Sequence, residues 1–145
     1  MRTKYKYDER SHVWRLNKIL PLGASFPFDF GFIPGTRGED GDPIDVLVVT
    51  EQPAFAGCVL PTLLIGVLEA EQTENGKKPR NDPLIGVVQT RFNPPIARSL
   101  EELGEQRLLE IEHFFTSYNQ MEGREFKAIG RGSAKHAQQI VDNAI

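Results

Sequence analysis

The sequence contains a single cysteine, Cys58, and lacks an apolar run long enough to cross a membrane. One cysteine excludes a disulfide within the chain and any zinc site built from several thiolates. The most apolar stretch, 59–68, is interrupted by Pro61, Thr62 and Gly66. No apolar segment typical of a secretory signal follows the first residues. We therefore expect a cytoplasmic protein without a membrane span.

A large excess of charge is also missing, because 17 Lys and Arg stand against 20 Asp and Glu in 145 residues. The formal charge of −3 says little about partners. A hydrophobic content of 39% argues against disorder, collagen and coiled coil. The length suits one domain, residues 1–145, with one hydrophobic core.

The charges are nevertheless unevenly distributed along the chain. Residues 1–18 hold six basic residues against two acidic ones, and residues 39–51 hold five acidic residues and no basic one. These clusters are either two solvated faces or parts of one site built around an anion and metal ions.

Several short strands followed by late helices predict an α+β fold. We expect a small antiparallel barrel with two C-terminal helices. A capping box at Ser99–Glu102 begins the first helix, which we expect to run to about Tyr118, and Ser133 begins the second. The strands are predicted at 5–8, 13–22, 45–50, 58–70, 84–88 and 126–129, with a hairpin tip at Asn75-Gly76.

Phenylalanines occupy every second position from Phe26 to Phe32. In an extended segment this spacing places four rings on one face, and we interpret most of them as core residues. Pro27 and Gly31 favour an edge or bulged strand over a central one.

The densest chemical feature of the sequence is the group Asp40, Asp42 and Asp45, at the start of a strand rich in β-branched residues. Pro43 can turn the chain so that all three converge. Converging carboxylates repel one another unless cations lie between them, and such oxygen ligands suit Mg²⁺, Mn²⁺ or Ca²⁺. The alternative is a turn with solvated acids; an EF-hand is excluded because Ile44 stands where its loop needs an oxygen ligand. Carboxylates with Mg²⁺ and nearby Lys and Arg are typical of phosphoryl transfer.

The segment 26–48, with Asp40-Gly-Asp-Pro-Ile-Asp45 at its centre, resembles the soluble inorganic pyrophosphatases, whose fold is an OB-like barrel, closed or partly open. The acidic stretch fits their Asp-x-Asp-Pro-x-Asp signature in full. Further similarity lies at Lys4-Tyr5, 65–68 and 112–118, so the resemblance covers nearly the whole chain. It implies hydrolysis of inorganic diphosphate to two phosphates, two or more Mg²⁺ ions, and a homo-oligomer.

The same resemblance implies roles for individual residues. Asp40, Asp42 and Asp45 would bind the metal ions, and Asp42 would also orient or deprotonate the attacking water. The substrate-binding residues would be Lys4, Lys18 and Tyr118.

Several positions depart from the family pattern. Phe26 and Phe30 stand where the family usually has tyrosines, and Lys6 stands where it has a glutamate. Lys18 replaces an arginine, and Asn119 replaces the lysine that follows the helix tyrosine.

The segment 71–84 departs from the pattern most. The family carries two aspartates and a lysine there, and the similarity at 84–87 places Asn81 and Pro83 at one aspartate and at the lysine. Glu71 or Gln72 stands at the other aspartate, Asp82 could substitute with a shift of register, and Arg80 could supply the lost positive charge on the same terms. These four candidates stay open, so we assign no further metal ligand.

Two other functions compete with the enzyme. Small barrels bind oligonucleotides, and Tyr5, Tyr7 and Trp14 in the basic segment are compatible with base stacking. The acidic composition argues against that, so we expect no nucleic-acid partner. A divergent member with weak or lost activity, retained for metal binding, phosphate binding or interaction, is the other alternative.

Overall fold

The computed structural model describes residues 2–39, 41–78 and 80–145. The strands are β1 (Thr3–Asp8), β2 (Val13–Ile19), β3 (Asp29–Ile33), β4 (Ile44–Val49), β5 (Thr62–Thr73), β6 (Leu84–Val88) and β7 (Glu125–Ser133). The helices are α1 (Leu100–Leu103), α2 (Glu105–Met121) and α3 (Ala134–Ala144).

The fold is α+β, as predicted, and its strands form two sheets. β1 and β2 pair as a separate antiparallel hairpin, and the other strands form one sheet in the order β3-β4-β6-β5-β7. The expectation of purely antiparallel pairing was wrong, because β4 and β6 run parallel at the centre of this sheet. Val46–Val49 and Leu84–Val87 are buried throughout, as parallel strands covered on both faces require. Within the described residues β3 and β7 are sheet edges, so the closed barrel stays a prediction.

The described residues form three helices in place of the two that we predicted, because the first predicted helix is divided at Gly104. This glycine has a φ of +100°. It is the residue at which α1 ends, and α2 begins directly after it. A left-handed φ of this kind is easy only for glycine, and it stops the regular helical hydrogen bonds. The predicted cap is present, since the Ser99 side chain accepts a hydrogen bond from the Glu102 amide. Among the described residues, no helix has the length and apolarity of a membrane span.

The sheet is covered by a separate hydrophobic cluster on each face. Leu47, Ile85 and Leu68 pack with α2 on one face, which we call the α2 face. Val46, Val67 and Leu84 pack with α3 on the other face. Because side chains alternate along a strand, Asp45 on β4 and Gln72 on β5 both project on the α2 face.

The alternating phenylalanines build much of the α2-face core. Phe26 and Phe28 are buried, and with Phe30 they contact Phe114 and Phe115 of α2 with ring-centre distances of 5.2 to 6.5 Å. Phe30 lies on β3, which is an edge strand, as Pro27 and Gly31 predicted. The fourth ring of the row, Phe32, differs and packs against Tyr7 and Trp14 of the hairpin.

Candidate functional site

The register of the hairpin brings two predicted substrate residues together. Lys4 of β1 lies directly opposite Lys18 of β2. The Lys4 ammonium lies 4.4 Å from the centre of the Phe30 ring, and that of Lys18 lies 4.8 Å from the centre of the Tyr118 ring. Like charges in a cross-strand pair repel, and the two aromatic faces offset part of this repulsion. The arrangement places two positive charges beside one another, as an anion site requires.

Tyr118 and Glu122 of the α2 end hold Lys18 in place. The Lys18 ammonium donates to the Tyr118 hydroxyl at 2.9 Å and lies 2.5 Å from a carboxylate oxygen of Glu122. Lys18 is the one residue of β2 that is not exposed. Tyr118 is 6% exposed, so the hydroxyl that Lys18 contacts belongs to a largely buried ring.

The ion pair keeps both partners charged. Burial lowers the pKa of Lys18, but the hydrogen bonds with Glu122 and Tyr118 outweigh burial and raise this pKa above its usual 10.5. The hydrogen bond from Lys18 is the largest cause that lowers the pKa of Glu122 below its usual 4.5. Because one pKa moves up and the other down, the pair is ionised throughout the range between these two usual values.

The acidic part of the site is the start of β4 and the loop before it. The Thr36 hydroxyl donates to the Ile33 carbonyl and accepts from the Ile44 amide at 3.0 Å, and this pair of bonds closes the loop. Asp45 follows on β4 and is exposed, as is Asp42. The third predicted ligand, Asp40, lies outside the described residues.

The lysine pair and the acidic strand end lie over the same face of the sheet. Phe32 is paired with Asp45 on the neighbouring strand, and Phe30 is two residues further along β3 on the same face. The Lys4 ammonium lies over the Phe30 ring. Two residues along a strand span about 7 Å, so the cationic and acidic groups border one common region.

The segment 71–84 forms the hairpin that Asn75-Gly76 predicted, and two of its four candidates are engaged with each other. Arg80 pairs with Asp82 at 3.0 Å and lies 3.7 Å from Glu69. Asp82 also accepts a hydrogen bond from the buried Ala70 amide. Arg80 and Asp82 therefore hold the base of the hairpin, rather than supplying a separate charge to the lysine pair.

The other two candidates project to opposite faces, because they are neighbours on β5. Gln72 projects on the α2 face, where its side-chain amide donates to the Asn119 side-chain carbonyl. The Asn119 amide nitrogen donates in turn to the Phe115 carbonyl at 2.8 Å. Asn119, which stands where the family pattern has a lysine, is thus joined to Gln72 as a neutral amide pair, and it is 1% exposed.

The residues of the acidic loop fit a hard divalent cation by their chemistry. Asp42 and Asp45 offer carboxylate oxygens, and neither histidine nor cysteine stands between residues 36 and 45. In the part of the chain that the structure describes, no three His, Cys, Asp or Glu side chains are grouped closely enough to hold a metal ion. Asp42 and Asp45 are therefore the described residues that would bind one.

The aromatic departures have a structural reason. Phe26 is 7% exposed and contacts the rings of Phe114 and Tyr118, a surrounding that suits a ring without a hydroxyl. Phe30 offers its face to Lys4. Phe30 therefore contacts Lys4 directly, and Phe26 packs against Phe30 on the side of the core.

Glu122 and Arg124 are the residues that sequence reasoning missed. Glu122 lies four positions after Tyr118, and this helical spacing puts the two side chains on one face. Arg124 lies two residues beyond, and its Nε atom is buried without a hydrogen-bond partner among the described residues. This spacing is the signal that could have indicated Glu122, whereas nothing in the local sequence indicated Arg124.

Comparison with known proteins identifies the family. The family model for inorganic pyrophosphatase matches residues 1–145. The inorganic pyrophosphatase of Sulfolobus acidocaldarius is 34% identical over 98% of this chain and 82% of its own length. The solved inorganic pyrophosphatases of Helicobacter pylori and Thermus thermophilus superpose with TM-scores of 0.88 and 0.87 at 28% and 31% identity. Each match covers 99% of this chain, with 84% of the former protein and 82% of the latter. The chain therefore belongs to the inorganic pyrophosphatase family.

Proposed function

We propose that this member of the family hydrolyses inorganic diphosphate to two phosphates, with water as the nucleophile and Mg²⁺, in two or more copies, as the cofactor. The observation that carries the proposal is the common face shared by the lysine pair and the acidic strand end. A diphosphate needs cationic groups around its oxygens and carboxylates that bind metal ions beside it. Family membership supports the same conclusion.

Lys4, Lys18 and Tyr118 bind the phosphate groups in this proposal. The Tyr118 hydroxyl accepts from Lys18, so its own hydrogen remains for a phosphate oxygen. Charged hydrogen bonds to phosphate are short and strong, and lysine supplies a point charge where an arginine would supply a planar fork. Replacement of the family arginine by Lys18 therefore lowers the geometric selectivity of this contact.

Asp42 and Asp45 hold the metal ions, together with Asp40, which lies outside the described residues. The bound ion polarises the phosphorus centre and offsets the charge on the phosphate oxygens. Asp42 orients the attacking water and accepts its proton. Because Asp42 is exposed, solvent reaches it directly.

We also propose that residues 1–145 act as one domain and that the hairpin and main sheet form a partly open, OB-like barrel. The contacts of Tyr7 and Trp14 with Phe32 support this arrangement. A homo-oligomer and a cytoplasmic location are further predictions from the resemblance. The nucleic-acid alternative is not favoured, because the Tyr7 and Trp14 rings pack on each other and on Phe32.

The test is release of phosphate from diphosphate by the purified chain in the presence of Mg²⁺. We expect Asp42→Asn to lower kcat by at least ~10²-fold, because the carboxylate that takes the proton is lost. Asp142→Asn, an equal change on the surface of α3, is the matched control and should leave kcat unchanged. Wild-type protein that releases no phosphate, or equal rates for Asp42→Asn and wild type, would overturn the proposal.

A further inference from the structure

A third basic side chain lies near the carboxylate of Glu122, the partner of Lys18. Arg124 follows the end of α2, where its backbone amide donates to the Asn119 carbonyl at 2.9 Å. Its Nε atom is a strong donor, yet it is buried without a hydrogen-bond partner among the described residues. A buried donor of this kind costs stability, and it marks a place where a partner is expected.

One carboxylate, that of Glu122, lies among the three basic groups. Lys18 contacts it directly at 2.5 Å. Lys4 and Arg124 each help to lower the pKa of Glu122 through their charge, after the larger effect of the Lys18 hydrogen bond. We call Lys4, Lys18 and Arg124 the cationic cluster. Three positive charges around a single carboxylate leave an excess of positive charge at this place.

The Glu122 carboxylate is chemically a substitute for a phosphate. Both are anions that accept hydrogen bonds from ammonium and guanidinium groups. The ammonium of Lys18 has three hydrogens, and Tyr118 and Glu122 engage two of them. A phosphate that binds Lys18 and Arg124 must therefore approach a like-charged carboxylate or displace it.

We propose that Glu122 is a positioning residue that holds the cationic cluster in place until a phosphate group displaces it, and that Arg124 is a further phosphate-binding residue. The proposal rests on the proposed function for the identity of the anion. Glu122 keeps Lys18 over the Tyr118 ring while the site is empty of substrate. It also weakens the binding of inorganic phosphate, so that product is released more readily.

The decisive experiment is titration of the protein with inorganic phosphate in the absence of divalent metal, followed by calorimetry or ³¹P NMR. We expect Glu122→Gln to bind phosphate roughly tenfold more tightly than wild type, because a competing negative charge is removed. Glu122→Asp keeps the charge and should stay close to the wild-type affinity. Glu125→Gln, the same change at the exposed first residue of β7, is the matched control and should leave the phosphate affinity unchanged.

Arg124→Gln should weaken phosphate binding roughly tenfold, because one charged contact is lost. Lys127→Gln, an exposed change of the same charge on β7, is its control and should have no effect. Thermal unfolding of each variant shows whether it is folded at the temperature of the titration. If Arg124→Gln fails to fold, the Glu122 variants still decide whether Glu122 competes with phosphate.

Unchanged or weaker phosphate binding by Glu122→Gln would overturn the proposal that Glu122 competes with phosphate. Equal affinities of Glu122→Gln and Glu122→Asp for phosphate would overturn it as well. In the steady state we expect Glu122→Gln to lower KM for diphosphate and to strengthen inhibition by phosphate without raising kcat. A purely structural role would change stability without this tighter binding. If the phosphate affinities shift as expected but the protein does not hydrolyse diphosphate, the proposed function is refuted and the roles of Glu122 and Arg124 in phosphate binding are retained.

Discussion

The acidic half of the site begins a buried central strand, whereas the lysine half lies on a hairpin that pairs with no strand of the main sheet among the described residues. Asp45 is followed by Val46–Val49, which are buried on both faces of the sheet. Lys4 and Lys18 depend instead on side-chain contacts with Phe30, Tyr118 and α2. The backbone therefore positions the carboxylates, and side-chain electrostatics positions the cations.

This difference predicts separate consequences for the two halves. Changes at the acidic half should act on the chemical step, because the strand remains in place when a carboxylate is altered. Changes at the lysine half should act on binding and on the docking of the hairpin. Contacts between β5 and α2 connect the halves and should act on stability.

After the change at Asp42, the largest effect is expected at Asp45. Asp45→Asn keeps the size of the side chain but removes the charge that a divalent cation needs, so kcat should fall roughly 10²-fold. Glu51→Gln, just beyond the end of β4, is the control. Phosphate release measured over a range of Mg²⁺ concentrations tests this prediction. If high Mg²⁺ restores Asp45→Asn to the wild-type activity, Asp45 contributes only to the affinity for the metal ion. If Asp45→Asn has wild-type activity at every Mg²⁺ concentration, Asp45 is not part of the site.

A smaller effect is expected at the amide pair that joins β5 to α2. Asn119→Ala leaves the Gln72 side-chain amide without its acceptor in a buried place, which should lower the free energy of unfolding by about 1–3 kcal/mol. Gln120→Ala, the exposed neighbour on α2, should change stability little. Urea unfolding compares the two variants. Equal midpoints for both would show that the pair contributes nothing to stability.

The smallest effect is expected at Asp82, where structure and resemblance suggest different roles. Asp82→Ala removes the acceptor of the Ala70 amide and the partner of Arg80, so stability should fall by about 1 kcal/mol. Phosphate release should change less than about threefold, because Asp82 is engaged at the hairpin base. A hundredfold loss of activity at unchanged stability would instead make Asp82 a member of the site.

Much of the site was predictable because its signals are local. Asp42 and Asp45 belong to one short motif at a β-branched strand, which is confirmed as β4, and their role as metal ligands stays a prediction. The Ser99 cap and the Asn75-Gly76 turn were likewise confirmed, because their chemistry depends on residues within one turn of chain. The resemblance supplied Lys4, Lys18 and Tyr118, whose roles stay predictions.

The errors arose where the outcome depends on distant partners. A parallel pairing of β4 with β6 leaves the same hydrophobic pattern in each strand as an antiparallel one. The division of the first helix at Gly104 was missed because the leucines on both sides keep the expected buried pattern. A helical glycine and a helix-ending glycine look alike until φ is known.

By itself the sequence determined the α+β class, the acidic signature and the two opposed charge clusters. Only the tertiary structure decided which charges meet: Lys18 with Tyr118 across 100 positions, Lys18 with Glu122, and Arg80 with Asp82. The physical reason is that local patterns record burial and backbone preference, whereas a long-range ion pair requires a register and a side-chain direction. Those are set by the packing of the hairpin against α2.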